Sequence, residues 1–259
     1  GSCFTFIIGY IHMNKYTRLP FYQYFSDQSL GKYGGKPRFT VDYKNIKYKH
    51  IGHKHDVAYC VMFDTDRDVY QIYFKETYKW NQWLCNFDFP KKYYDSFQYE
   101  GKDIQLKASR GWVSLYCAIK WYIRNELKEL ATVYGMKEVE IIGWSLGSAL
   151  AQLCAQDLFF NFGIQSHLFT FGSVKCWFAK DDNVIEYLKN CTKECFNFYS
   201  WNDIVGYMVC LPHYFAMNHI KLKTDKHSIF RWFNPMKWHT EYWRENWYKD
   251  FNLLKEDKK

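Results

Sequence analysis

One serine in this chain is placed where a hydroxyl could do chemistry. In "EIIGWSLGSALAQL" (140–153), Ser145 stands between Gly143 and Gly147, where an apolar run gives way to a helical pattern. Small residues on both sides allow a sharp turn that lifts the hydroxyl out of the backbone. A helix beginning at Leu146 would aim its free N–H groups and positive dipole end at the serine oxygen. Gly-x-Ser-x-Gly alone arises by composition in roughly one chain in ten. The strand before it and the helix after it carry the weight.

A serine hydroxyl attacks only when a base takes its proton and an acid orients that base. In the strand–turn–helix setting, the acid and then the base are expected downstream. Asp203 fits the acid, because "FNFYSWNDIVGY" runs an apolar strand up to Asn202-Asp203. Asp181 and Asp182 read instead as a helix-start loop, with a capping role. Four downstream histidines compete as base: His213, His219, His227 and His239. Position favours His239, in a Pro-containing loop ahead of a C-terminal helix, and leaves the others open. A histidine base predicts activity that falls as the imidazole protonates.

The elements that must hold these groups follow from periodicity. "DVAYCVMFD" (56–64) and "DVYQIYFK" (68–75) read as a hairpin joined through "TDR". Over 110–134, Trp112, Leu115, Ile119, Tyr122, Ile123, Leu127 and Leu130 recur at steps of three and four, a helix that Gly135 stops. "VEIIGW" reads as a short strand, Leu146 to about Phe160 as a helix, and "SHLFTFG" (166–172) and "CFNFYS" (195–200) as strands. Trp243, Trp247, Phe251 and Leu254 mark one face of a last helix. Strands alternating with helices indicate an α/β fold with a mostly parallel sheet covered on both faces. With no repeat or long linker, the 259 residues read as one domain, and Gly1-Ser2 as a cloning remnant.

Composition narrows the function classes. The net charge is +8, but the basic residues are scattered. Their densest run, "YKNIKYKHIGHKH" (43–55), reads as a solvated edge strand or loop, so no nucleic-acid partner is expected. His50, His53 and His55 lack matching Cys or acidic ligands nearby, so neither metal nor cofactor is expected. Nine cysteines without regular spacing predict mostly buried thiols in a reducing, cytoplasmic compartment, and peripheral contact with membranes stays open. Cys191 and Cys195 could share a helix face. No run reaches the ~18 apolar residues of a membrane span, and the opening "CFTFIIGYI" lacks signal-peptide features.

These blocks resemble the class 3 lipases, the triacylglycerol-lipase-like serine hydrolases. "GWSLGSALAQL" is similar to their elbow GHSLGGALA. "YQIYFKETYKWNQWLCNFDF" (70–89) is similar to their FRGT and lid segment. "FTFGSVKCW", "WNDIV" and "HTEYW" follow in the family's order. The resemblance implies an α/β-hydrolase fold with a short helical lid. It implies ester hydrolysis by Ser145, Asp203 and His239, with His219 aligned to a non-catalytic histidine. The oxyanion hole would combine the Leu146 N–H with Thr77. Lys75-Glu76 replaces the family's Arg-Gly, Trp144 its histidine and Ser148 its second glycine, and the last two narrow the space around the elbow.

Trp80, Trp83, Leu84 and Phe87 fall at i, i+3, i+4 and i+7, one apolar face of a short helix. In this family the segment is a lid, and its tryptophans suit a lipid interface. The positive charge favours an anionic membrane surface. The substrate implied is an acyl ester of a glyceride or phospholipid. A degraded, binding-only module and a thioesterase or amidase stay open as alternatives. The oligomeric state is not legible.

Overall fold

A computed structural model describes residues 46–54, 57–65, 68–74, 91–207, 213–222 and 239. The chain divides into two compact units. One comprises Lys44–Tyr199 and Val205–Ile220, the other Gly1–Tyr43, Ser200–Ile204 and Lys221–Lys259.

Along the chain run β1 (Ile46–Lys54), β2 (Val57–Asp64), β3 (Val69–Phe74), β4 (Lys91–Tyr99), β5 (Lys102–Ser109), α1 (Arg110–Tyr134), β6 (Glu138–Trp144) and α2 (Leu146–Phe162). β7 (Ser166–Phe171), β8 (Trp177–Phe178), α3 (Asp182–Asn190), β9 (Thr192–Ser200), a 3-10 turn (Ile204–Tyr207), β10 (Tyr214–Phe215) and β11 (His219–Leu222) follow. The large sheet has the order β1-β2-β3-β6-β7-β9-β11. β1, β2 and β3 are antiparallel neighbours, whereas β3, β6, β7 and β9 run parallel. Parallel neighbours need crossovers, which α1, α2 and α3 supply. The expected hairpin, the strands after it and the helix bounds at Arg110–Tyr134 are all found.

Strands buried on both faces read as nearly continuous apolar runs, and β6 is buried from Val139 to Trp144, its one charged residue there, Glu140, accepting from Gln71 Nε2 (2.9 Å). α2 is buried from Leu146 through Leu158, so its polar residues need internal partners. Gln156 donates to the Tyr187 hydroxyl (3.1 Å). Asp157 accepts from the Tyr116 hydroxyl (2.9 Å) and from Arg124 through Nε (2.9 Å) and Nη2, a bidentate pair joining α1 to α2. α1 buries Trp112, Ile119, Ile123, Leu127 and Leu130 as expected. Tyr122 instead faces solvent, and Val113, Tyr116 and Arg124 complete the buried stripe. Gly135 ends α1 at φ 81°, where a side chain would be strained.

A second sheet, order β10-β8-β5-β4, has no counterpart in the periodicity reading. β4 and β5 form a hairpin turning at Glu100 (φ 49°) and Gly101 (φ 74°), the doubly left-handed turn that suits hairpin twist. Only Ile104, Leu106 and Ala108 of β5 face the core, so the run looks polar in sequence. "YKNIKYKHIGHKH" supplies edge strand β1, with His50 and His53 on it and His55 outside the described residues.

Six described cysteines are free thiols, four of them buried. Burial pushes the thiols of Cys191 and Cys195 up to about 12 and raises those of Cys154 and Cys176 as well, which keeps them protonated and unreactive. Cys191 and Cys195 share no helix: Cys191 caps α3 and Cys195 lies on β9. Among the described residues no helix is long and apolar enough to cross a membrane.

Candidate active site

The turn between β6 and α2 puts Ser145 at φ 57°, ψ −123°, a region non-glycine residues rarely occupy. Its N–H donates to the Phe171 carbonyl at the end of β7 (3.0 Å), and its carbonyl accepts the Ser148 N–H (2.9 Å). These bonds hold a backbone that would otherwise relax. Gly143 is required for a separate reason. A Cβ there would lie 2.2 Å from the Gly147 carbonyl oxygen, well inside contact distance. The strand and helix approach so closely that only glycine fits.

The Ser145 hydroxyl is buried and has no hydrogen-bond partner among the described residues. A buried hydroxyl without a partner is costly, and such groups call for an explanation. Leu146 follows as the first residue of α2, where N–H groups have no intrahelical acceptor. The turn therefore offers an oxygen nucleophile beside unspent backbone donors.

The other unit holds a second constellation. Asp203 lies three residues past β9, its N–H donating to the Ser200 carbonyl (3.1 Å). Its carboxylate faces His239 Nδ1, with oxygens at 2.9 and 3.0 Å. Both side chains are almost fully buried. A carboxylate on Nδ1 makes that nitrogen the donor of the pair and leaves Nε2 as the other ring nitrogen. The pair is contributed by residues 36 positions apart.

The competing groups have other roles. His219 Nε2 lies 3.1 Å from the Ser173 carbonyl, and its ring stacks on Tyr199 at 3.9 Å. His213 is exposed, edge-on to Phe178. Asp181 is the N-cap of α3, accepting the Asn183 N–H at 2.8 Å. His227, Lys75, Glu76, Thr77, the lid positions Trp80, Trp83, Leu84 and Phe87, and the C-terminal helix at 243–254 lie outside the described residues.

The model of the family "Lipase (class 3)" matches residues 71–212, more than half of the chain. The chain is a class 3 lipase. It is thus a carboxylic ester hydrolase whose substrates are lipid esters. Three solved structures share its fold. The Lip2 lipase of Yarrowia lipolytica is 12% identical with a TM-score of 0.69, over 89% of this chain and 93% of that one. A triacylglyceride lipase of Rhizomucor miehei is 17% identical with a TM-score of 0.63, over 82% and 80%. A mono- and diacylglycerol lipase of Aspergillus oryzae is 18% identical with a TM-score of 0.60, over 83% and 81%. No curated protein matches the chain in sequence. At these identities the likeness carries the fold, an α/β-hydrolase. Within this lipase the substituted positions are accommodated: Trp144 is buried, and the Ser148 hydroxyl donates to the Ser145 carbonyl (2.5 Å) and accepts the Val174 N–H (3.0 Å). Sequence reading treated Ser148 as a bulkier glycine. One of its two hydrogen bonds comes from Val174, 26 residues away, and so has no local signature.

Proposed function

We propose that Ser145, His239 and Asp203 act as one catalytic triad on acyl esters of glycerides or phospholipids. The observation that carries this reading is the conformation of Ser145, held in a strained turn at a helix start with its hydroxyl buried and without a partner among the described residues. The Asp203–His239 pair supports it by supplying an oriented base.

In the proposed cycle, Ser145 Oγ attacks the ester carbonyl carbon as its proton passes to His239 Nε2. The carbonyl oxygen becomes an oxyanion, met by the Leu146 N–H and by Thr77. Collapse breaks the C–O bond, and the leaving alkoxide takes the proton from His239 and departs as an alcohol. Water then attacks the acyl-enzyme, again losing a proton to His239, and a carboxylic acid leaves as Ser145 regains its hydrogen. No cofactor enters. Asp203 keeps its charge throughout and stabilises the imidazolium.

The fold relatives include a mono- and diacylglycerol lipase and a triacylglyceride lipase. Acylglycerols are therefore the first substrates for this chain. The helical pattern of Trp80, Trp83, Leu84 and Phe87 fits a lid that opens at a lipid interface, and the net charge of +8 favours an anionic one. Fluorophosphonate labelling with mass-spectrometric mapping tests the triad. An adduct on Ser145 is expected, absent from Ser145→Ala and strongly reduced in His239→Ala. A folded wild type that takes no label in the presence of detergent overturns the reading.

A further inference from the structure

The Ser145 carbonyl is held twice, once by the Ser148 backbone N–H (2.9 Å) and once by the Ser148 hydroxyl (2.5 Å). That hydroxyl is itself fixed, because it accepts the Val174 N–H from the segment after β7 (3.0 Å). Gln152, one turn further along α2, donates to the carbonyls of both Ser148 (3.2 Å) and Val174 (3.1 Å), and accepts the Met217 N–H (3.3 Å). Ser148 and Gln152 are completely buried, so water does not compete for these bonds.

The consequence lies on the far side of one peptide plane. In a trans peptide, the carbonyl of Ser145 and the N–H of Leu146 point in opposite directions within a single rigid unit. Whatever grips the carbonyl therefore aims the N–H. The grip matters here because Ser145 sits at φ 57°, ψ −123°, from which rotation of that plane would relieve strain. We propose that Ser148 is a positioning residue: its hydroxyl, anchored on Val174, locks the Ser145–Leu146 peptide so that the Leu146 N–H stays directed at the developing oxyanion. The inference rests on the triad reading and adds a residue to it. Ser148 touches no reacting atom.

Loss of a whole oxyanion donor costs roughly 10²–10³ in kcat, and loosening its aim while the Ser148 N–H still holds the carbonyl should cost about tenfold. The test uses a short-chain p-nitrophenyl ester, soluble and independent of any interface. Ser148→Ala should lower kcat about tenfold with KM unchanged. It should weaken a boronic acid inhibitor, whose tetrahedral adduct needs the same donor, by the same factor. Should Ser148→Ala not fold by circular dichroism, Ser148→Cys, nearly isosteric with a weak donor, is read in its place. A folded variant with wild-type kcat and boronate affinity overturns the proposal, as does one that changes only KM or only thermal stability. Fluorophosphonate labelling of wild-type Ser145 separates the two failures. A labelled wild type with an unaffected Ser148 variant sinks the positioning role alone, and an unlabelled wild type removes the triad and with it this role.

Discussion

Gly143 and Ser145 are chosen for opposite reasons. Gly143 is there because nothing larger fits against the Gly147 carbonyl, and Ser145, on the proposed triad, because its hydroxyl is worth a strained backbone. Gly143→Ala must push the helix start away from β6. The expected cost is about 1–3 kcal/mol of stability, the usual range for overpacking, with a larger proportional loss of turnover. Urea unfolding set beside ester hydrolysis checks it, and unchanged turnover would mean the elbow has slack. Asp203→Asn keeps the shape of the side chain but favours the wrong imidazole tautomer. A fall of about 10⁴ in kcat, at unchanged stability, is the expected result.

At the scale of elements, the contact between α1 and α2 depends on a buried charge pair. Arg124 and Asp157 meet through two hydrogen bonds, with Tyr116 and Asn161 completing the carboxylate's partners. Arg124→Met leaves Asp157 buried without its counter-charge, and about 3–5 kcal/mol of destabilisation is expected. The double variant with Asp157→Leu should recover much of the loss, because two apolar groups pay no desolvation penalty. Denaturant midpoints for the three proteins decide this, and a fully additive double variant would show that the pair is not coupled. Neither residue announces itself in sequence. A helix-period pattern treats Arg124 as surface, and only the fold reveals that it lies on the buried stripe.

For the molecule as a whole, charge governs two measurable behaviours. At the starts of β6, β7 and β9, Glu138 meets Lys193 and His167 Nε2 (2.9 Å), while His167 Nδ1 meets Glu194 (3.0 Å). Lys193, and then His167, hold the Glu138 carboxyl below its ordinary range. A folded-state value below the unfolded one stabilises the native form above the unfolded value, and the contribution disappears as pH falls through the folded one. Melting temperatures of wild type and Glu138→Gln should therefore differ at neutral pH and converge towards about pH 3. The gap should be small, since Glu138 and Lys193 are about half exposed. A constant gap would assign it to packing. The net charge of +8 predicts adsorption to anionic vesicles that weakens as salt rises, which co-sedimentation across an ionic-strength series measures. Salt-independent adsorption would favour apolar contact instead.

Amino-acid order alone determined the parts that depend on near neighbours. The hairpin of β2 and β3, the bounds of α1, the strand–turn–helix around Ser145 and the capping role of Asp181 all follow from steps of two, three or four residues, and from glycines where the backbone must turn. Local sterics and hydrogen bonds act over such spans, so a linear pattern records them. The polar hairpin β4–β5 was illegible because its fully buried apolar residues, Ile104, Leu106 and Ala108, are few and set among polar ones, and burial is not a local property. The surroundings of His239 and His219 were likewise a tertiary matter, though position and family resemblance already favoured His239 as the candidate base. Both are histidines in similar company, and what separates them is that one meets a buried carboxylate while the other stacks on Tyr199 and meets a backbone carbonyl. The same holds for Ser148, whose hydroxyl gains its purpose only when the segment after β7 brings the Val174 N–H within 3.0 Å. Sequence records which groups are available, and three-dimensional packing decides which of them meet, because contacts between distant residues leave no local pattern.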